Sequence, residues 1–513
     1  MPDARSSVRR VRDVDPTIVA LVVLAAALRV FQLGHDSFWI DEINSVFRAD
    51  GLPFLRSVRE SFGPFDPPLG FAIEATARRI PGLSLEAAAR LPMAVASVVE
   101  VALVWTLLRR FLHRRDEALV AAALVAIAPF AIRYGQEARY YALASALHLG
   151  GWVFVLEAAR GRRRAVWWWA GVAVIAVYTT AIAWFLIGVQ ALIGVAFCRD
   201  QRRTWLLAGA VPVVAFLPWV AFEASYWLPE IADGTSPSLS GGLSYDVRFD
   251  PALWADLSRW LLGNGSALVA APFAVFVVAA PVVARTGERR VAISVMAYVV
   301  VTVGLTVVLG RLSGTYFAMR RVEFLVPVLA ALAAVGICGV VRRCVPNRPR
   351  LRVGLTLGLV LLLACVATPG VVDHYRSEKS DYRGAARAVD GGAFDLVVLG
   401  PLPDADHGWA RAIRRYLRES GVEQPVRLLD ELDAAPPAGE VAWITGERPP
   451  DPAFDVVTQN RVDRLQILAG DDSLDSFAIP VVVVSSSYDS EFELRSQATT
   501  VGAGRALIDD DDV

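Results

Sequence analysis

Between residues 17 and 368, apolar stretches recur at about the length of a bilayer-crossing helix, and arginines gather in the short links between them. This alternation constrains the fold more than any other feature. A hydrocarbon layer about 30 Å thick takes about 20 apolar residues of helix to cross, and every backbone polar group inside it must find its partner within the protein. The stretches lie at about 17–33, 91–108, 117–132, 140–159, 166–180, 181–197, 204–222, 265–284, 291–309, 322–341 and 351–368. They predict an all-α polytopic membrane domain with about 11 transmembrane helices. Composition agrees: 55% of the residues are hydrophobic and 14 are Trp, more apolar surface than a soluble core needs.

The loops orient the chain. Arg109 and Arg110 with Arg114 and Arg115, Arg160 with Arg162 to Arg164, Arg199 with Arg202 and Arg203, Arg285 with Arg289 and Arg290, and Arg342 and Arg343 with Arg348, Arg350 and Arg352 fall on alternate loops. An excess of basic residues marks the inner side. Arg9, Arg10 and Arg12 put the N-terminus there too. Ala25-Ala26-Ala27 resembles a signal cleavage site, but an uncleaved first helix is preferred, because the later segments need its orientation. The stretch Leu69 to Ile80, which follows Pro67-Pro68 and carries Arg78-Arg79 at its end, is too short to span and is expected as an interfacial helix; counted as a span, it would invert the arginine pattern. The outer side then receives the 34–90 loop, the turn at Arg133 to Arg139, the 223–262 loop and everything after the last helix. The 223–262 loop, with its Gly/Ser stretch and its amphipathic run Trp254 to Leu262, suits a lid or a disordered connector equally.

This division sets residues 1–370 apart as the transmembrane domain and 371–513 as a soluble extracytoplasmic domain. In the latter, acidic residues outnumber basic ones about two to one. Helices expected at Asp381 to Val389 and Trp409 to Arg418 alternate with strands at Asp395 to Leu399, Val426 to Leu429, Val441 to Thr445 and Pro480 to Ser485, which suggests a small α/β domain. Neither a phosphate-binding glycine loop nor a nucleophile elbow occurs in it, so it is expected to play a supporting role. The four cysteines all lie in or beside apolar segments, which excludes a disulfide framework. The bilayer is an expected partner; nucleic acid is not.

Three outer clusters carry chemistry. Asp41-Glu42 follows the first helix inside the aromatic and aliphatic frame Phe38-Trp39-Ile40, and Asp66 stands before Pro67 in the same loop. The segment Arg133-Tyr134-Gly135-Gln136-Glu137-Ala138-Arg139-Tyr140-Tyr141 combines a carboxylate with guanidinium groups suited to phosphate. Its plainer alternative is an interfacial belt with snorkelling arginines. Arg320 and Arg321, with Glu323 close behind, run against the positive-inside bias and call for an anionic partner, for which a bilayer headgroup would also serve.

Taken in order, Trp39-Ile40-Asp41-Glu42, Asp66-Pro67-Pro68-Leu69, Arg90-Leu91-Pro92, Gln136-Glu137-Ala138-Arg139-Tyr140-Tyr141, Tyr316 to Arg321 with Pro327, and Asp381-Tyr382-Arg383 resemble the GT-C class of membrane glycosyltransferases. Within that class the chain is similar to family 39, which includes protein O-mannosyltransferases and the aminoarabinose transferase of lipid A. The resemblance implies a polyprenyl- or dolichyl-phosphate sugar as donor, a protein, glycolipid or envelope polymer as acceptor, inversion at the sugar, and an active site on the extracytoplasmic side of the plasma membrane. It implies Asp41 as catalytic acid/base with Glu42 beside it, and Asp66, Arg133, Gln136, Glu137, Arg139, Tyr140, Arg320 and Arg321 as donor-binding residues. Where the family often has His before Pro-Pro-Leu, this chain has Asp66. The added carboxylate leaves room for a divalent metal ion on Asp41, Asp66 and Glu137 without requiring one. Two other classes remain open from the residues alone: a transporter or flippase of lipid-linked sugars, and a non-catalytic scaffold. Placement of the acidic motifs outside, rather than at mid-membrane, favours the enzyme.

Overall fold

The computed structural model describes residues 15–38, 40–46, 67–111, 113–232, 267–313, 322–376, 382–390, 396–399, 408–423, 425–428, 441–445, 455–459 and 482–486. The backbone contacts divide the chain into two compact units. One takes residues 1–33, 63–77 and 90–374; the other takes 34–62, 78–89 and 375–513. The second unit thus joins much of the loop after the first apolar stretch to the C-terminal region.

The first unit is helical. Its helices are α1 (Pro16–Val30), α3 (Leu69–Ala77), α4 (Leu85–Phe111, beginning in the other unit), α5 (Arg115–Ile127), α6 (Pro129–Gly135), α7 (Tyr141–Ala159), α8 (Arg164–Thr179), α9 (Ala183–Phe197), α10 (Arg202–Ala232), α11 (Ala267–Val283), α12 (Thr286–Ser313), α13 (Leu325–Cys344) and α14 (Pro349–Arg376). The short α2 (Ile40–Val46) precedes α3 in the chain and belongs to the second unit. A helix stands at each of the apolar stretches. Among the described residues, five are long and apolar enough to cross a membrane: Leu85–Phe111, Tyr141–Ala159, Arg199–Ser225, Leu325–Cys344 and Pro349–Arg376. The pair α5 and α6, bent by 58°, makes a sixth if counted as one span. Others fall short of the usual crossing length, α1 and α9 at 15 residues each. The stretch expected as one helix over 117–132 is in fact broken, because Pro129 opens a new helix.

Close packing comes from small residues. α11 lies along α13, and a Cβ added at Gly336 would strike the Phe276 carbonyl oxygen, while one at Gly339 would strike Val283. In an apolar surround, where helices gain little by hiding apolar area from each other, such close backbone approach supplies the attraction. Gly194 plays the same part for the Trp205 ring, which packs against Trp169 at 5.0 Å between ring centres. At the helix ends, Asp15 caps α1 by accepting from the Thr17 N–H at 3.1 Å. Asp15 also binds Arg115 at 2.6 and 3.1 Å, and that guanidinium holds its carboxyl down at about 2.

Among the described residues of the second unit, five strands form one sheet: β1 (Leu396–Leu399), β2 (Val426–Leu428), β3 (Val441–Thr445), β4 (Asp455–Gln459) and β5 (Val482–Ser486), in the order β2-β1-β3-β5-β4. β1 pairs parallel with β2 and β3, and β5 pairs antiparallel with β3 and β4. The sequence reading misses β4, whose only apolar pair is Val456-Val457. Helices α15 (Tyr382–Asp390) and α16 (Gly408–Glu419) pack together, with the Tyr382 and Tyr416 rings stacked at 6.2 Å.

Candidate functional site

The site residues of the helical unit sit at a helix break, and the break has a local cause. Pro129 has no N–H, so the Val125 carbonyl four residues earlier loses its helical donor. Arg29, fully buried on α1, supplies the replacement: Nη2 donates to Val125 O at 3.1 Å and Nη1 to Ala126 O at 2.9 Å. Its Nε donates to Ser97 Oγ at 2.7 Å, and that hydroxyl donates to Ala131 O at 3.0 Å. A buried cation is thus satisfied by carbonyls freed where the helix bends. Beside it Ser97 reaches Glu100 Oε2 at 3.4 Å, and the buried Glu323 carboxyl faces Glu100 and Ser145.

The α6 helix that follows the break is buried along its whole length. It carries Arg133, whose Nε lies 3.7 Å from Glu137 Oε1. Gln136 ends the helix and serves another: its Nε2 donates to Leu28 O, Arg29 O and Phe31 O at 3.3, 3.1 and 2.7 Å. These are carbonyls at the end of α1, where no further turn supplies donors. Gln136 Oε1 therefore accepts, and its partner is His374 Nε2 at 2.6 Å. The polar atoms of Gln136 are spent on these bonds, so its part is to place the turn. The chain there also passes through Gln32 at φ 57°, a left-handed conformation that non-glycine residues seldom adopt.

Arg139 is buried and lies 5.0 Å from the centre of the Tyr140 ring and 5.8 Å from that of Tyr141. Tyr141 meets Tyr134 edge-on at 5.6 Å. From α3, Gly70 comes close enough to Tyr140 that a Cβ would contact the ring at 3.4 Å. The structure therefore brings Arg133, Gln136, Glu137, Arg139 and Tyr140 together. On α3, Glu74 is buried on the same helix face as Gly70 and Ala77, and the sequence reading did not single it out. The signal for it was the four-residue spacing from Gly70, which places both on one helix face.

In the second unit Asp41 and Glu42 fall in α2, and Glu42 is fully buried with Phe38 and Ile43. The Asp41 side chain, Asp66, Arg320, Arg321, Tyr316 and residues 233–262 of the 223–262 loop lie outside the described residues; positions 223–232 continue α10. Of the three carboxylates considered for a metal ion, Glu137 is the one described. Among the described residues, no three His, Cys, Asp or Glu side chains form a metal-holding group. The Asp41 loop has a partner that the sequence reading missed, Tyr416, 378 residues from Phe38.

Residues 66–223, which include the α6 turn, match the family model described as dolichyl-phosphate-mannose-protein mannosyltransferase. Sequence comparison with curated proteins returned no match. Among solved structures, the chain is similar to ArnT from Cupriavidus metallidurans bound to undecaprenyl phosphate, at 13% identity and a TM-score of 0.55, covering 91% of this chain and 97% of that one. The apo state of that protein gives 14% and 0.54 over the same shares. Archaeal oligosaccharyltransferase AglB from Archaeoglobus fulgidus is more distant, at 10% and 0.47, over 78% of this chain and 63% of that one. In residues 66–223 and in its fold, the chain is thus similar to the GT-C class of membrane glycosyltransferases, the protein O-mannosyltransferases and ArnT among them.

Proposed function

We propose that the protein transfers a sugar from a polyprenyl- or dolichyl-phosphate donor to an acceptor hydroxyl or amine on the extracytoplasmic side of the plasma membrane, with inversion. About 11 crossings, with the arginine loops inside, put the Asp41 loop and the C-terminal region outside. Asp41 takes the acceptor proton as the acceptor oxygen or nitrogen bonds to the anomeric carbon. The bond from that carbon to the phosphate oxygen breaks, and its electron pair leaves with the lipid phosphate. Arg133, Arg139 and Arg320 stabilise the charge that develops there, while Gln136 holds the turn in place.

The observation that carries this reading is the buried turn after Pro129, where two guanidinium groups, a carboxylate and aromatic rings meet at the end of a bent helix pair. A lipid-phosphate donor brings the anionic group that such guanidinium groups bind. The test incubates purified protein with radiolabelled polyprenyl-phosphate sugars and a panel of acceptors. Wild type should transfer label, and Asp41→Asn should bind donor yet transfer at least about 100-fold more slowly. Undiminished transfer by Asp41→Asn would refute the assignment.

The buried carboxyls of Glu100 and Glu323 inside the helical unit favour a second reading, a transporter of lipid-linked sugars. The same preparation separates the two in sealed vesicles, because a transporter moves donor across without consuming it.

A further inference from the structure

We infer that Tyr416 and Arg383, both from the C-terminal region, are positioning residues that set the geometry of the Asp41 loop. The inference rests on the reading of Asp41 as the base. Residues 34–38 precede α2 in the chain, and four of the five are held by atoms distant in the chain. The Tyr416 hydroxyl accepts the Phe38 N–H at 3.1 Å and donates to Glu86 Oε1 at 2.9 Å. One hydroxyl thus ties the loop to the first turn of α4. The Arg383 N–H donates to Ser37 Oγ at 3.2 Å. The Arg383 guanidinium pairs with Glu86 and donates to Gly34 O and His35 O at 3.3 to 3.4 Å.

Burial makes these bonds count. Phe38 is fully buried, and Tyr416 and Glu86 are 2% and 3% exposed, so water cannot replace a lost partner. Gly34 is pressed against α4 so closely that a Cβ there would strike Ser84 and Ala87. α16 also packs on α2 itself. Asp41 lies within the first turn of α2, the helix on which α16 packs, and stands three positions after Phe38 in the chain. A base displaced by about 1 Å from its acceptor loses about 100-fold in rate. The C-terminal region is accordingly a working part of the loop's geometry, beyond the supporting role expected from its lack of catalytic motifs.

The experiment uses the full chain, with radiolabelled dolichyl-phosphate mannose and undecaprenyl-phosphate sugars as donor probes. Tyr416→Phe keeps the ring and its stacking on Tyr382. It should lower kcat about 10-fold or more with KM for the donor within about twofold, while the chain, less stable by the loss of a buried hydrogen bond, stays folded at the assay temperature. Arg383→Lys should do the same, and Glu419→Gln, an exposed change on the same helix, should turn over as wild type. In the Asp41→Asn background, Tyr416→Phe should cost nothing further, because the loop no longer presents a base. Wild-type kcat in both Tyr416→Phe and Arg383→Lys, alongside an inactive Asp41→Asn, would overturn the inference. An equal loss from Tyr416→Phe with and without Asp41 would overturn it as well. A wild-type rate in Asp41→Asn would instead strike down the base reading itself.

Discussion

Gln136 shows how much of this site is decided by single polar side chains. Its amide donates to three carbonyls at the end of α1 and accepts from His374. Glutamate has nearly the same shape but no N–H to give. Gln136→Glu would set a carboxylate against three carbonyl oxygens, so it should lower thermal stability in detergent by about 2 kcal/mol or more, despite the conserved volume. Gln136→Leu should cost a comparable amount, and a loss confined to the glutamate variant would show that the orphaned carbonyls find other donors. The ordered run from Gln136 to Tyr141 was legible as a site because its residue types suit phosphate and carboxylate chemistry. Its division of labour was not. Nothing local separates Gln136, engaged on a helix end more than 100 positions away, from Glu137, paired with Arg133 one turn back.

Among the elements, the break between α5 and α6 matters most, since it turns α6, with Arg133, away from the line of a continuous helix by 58°. Pro129 creates the break and Arg29 makes it tolerable by serving Val125 O and Ala126 O. The two should therefore be coupled. Arg29→Met in the wild-type chain takes a donor from Ala126 O and leaves Val125 O with only the long Ala128 N–H contact at 3.4 Å, and should cost about 3 kcal/mol. With Pro129→Ala, residue 129 regains its N–H, the Val125 carbonyl has its own donor again, and the same Arg29→Met should cost less by about 1 kcal/mol or more. Thermal or denaturant unfolding of the four proteins checks the cycle, and simple additivity would show that Arg29 serves something other than the break. The proline was readable in the sequence, and the expected helix over 117–132 nonetheless ran through it. A proline can be absorbed inside a membrane helix when neighbours satisfy the freed groups, so the bend could be read only once Arg29 was seen in place.

For the whole molecule, the arginine alternation makes a claim about sidedness that labelling can test. In sealed cells carrying Cys344→Ser and Cys365→Ser, a membrane-impermeant thiol reagent should modify Asp36→Cys on the outer side and reach Arg163→Cys only after permeabilisation. The reverse pattern would invert the proposed topology. What the sequence determined by itself is the class of architecture: apolar stretches near bilayer length, flanked by arginine, admit little besides helices, because the backbone has no other way to satisfy itself in hydrocarbon. The tertiary structure alone decided how the loop after α1 is held. Its residues 34–62 and 78–89 join the C-terminal region in one compact unit, through bonds such as that from Phe38 to Tyr416. Periodicity and desolvation act along the chain and leave a mark in it. A hydroxyl that meets an amide 378 residues away does so because packing brings them together, and a one-dimensional pattern carries no record of that.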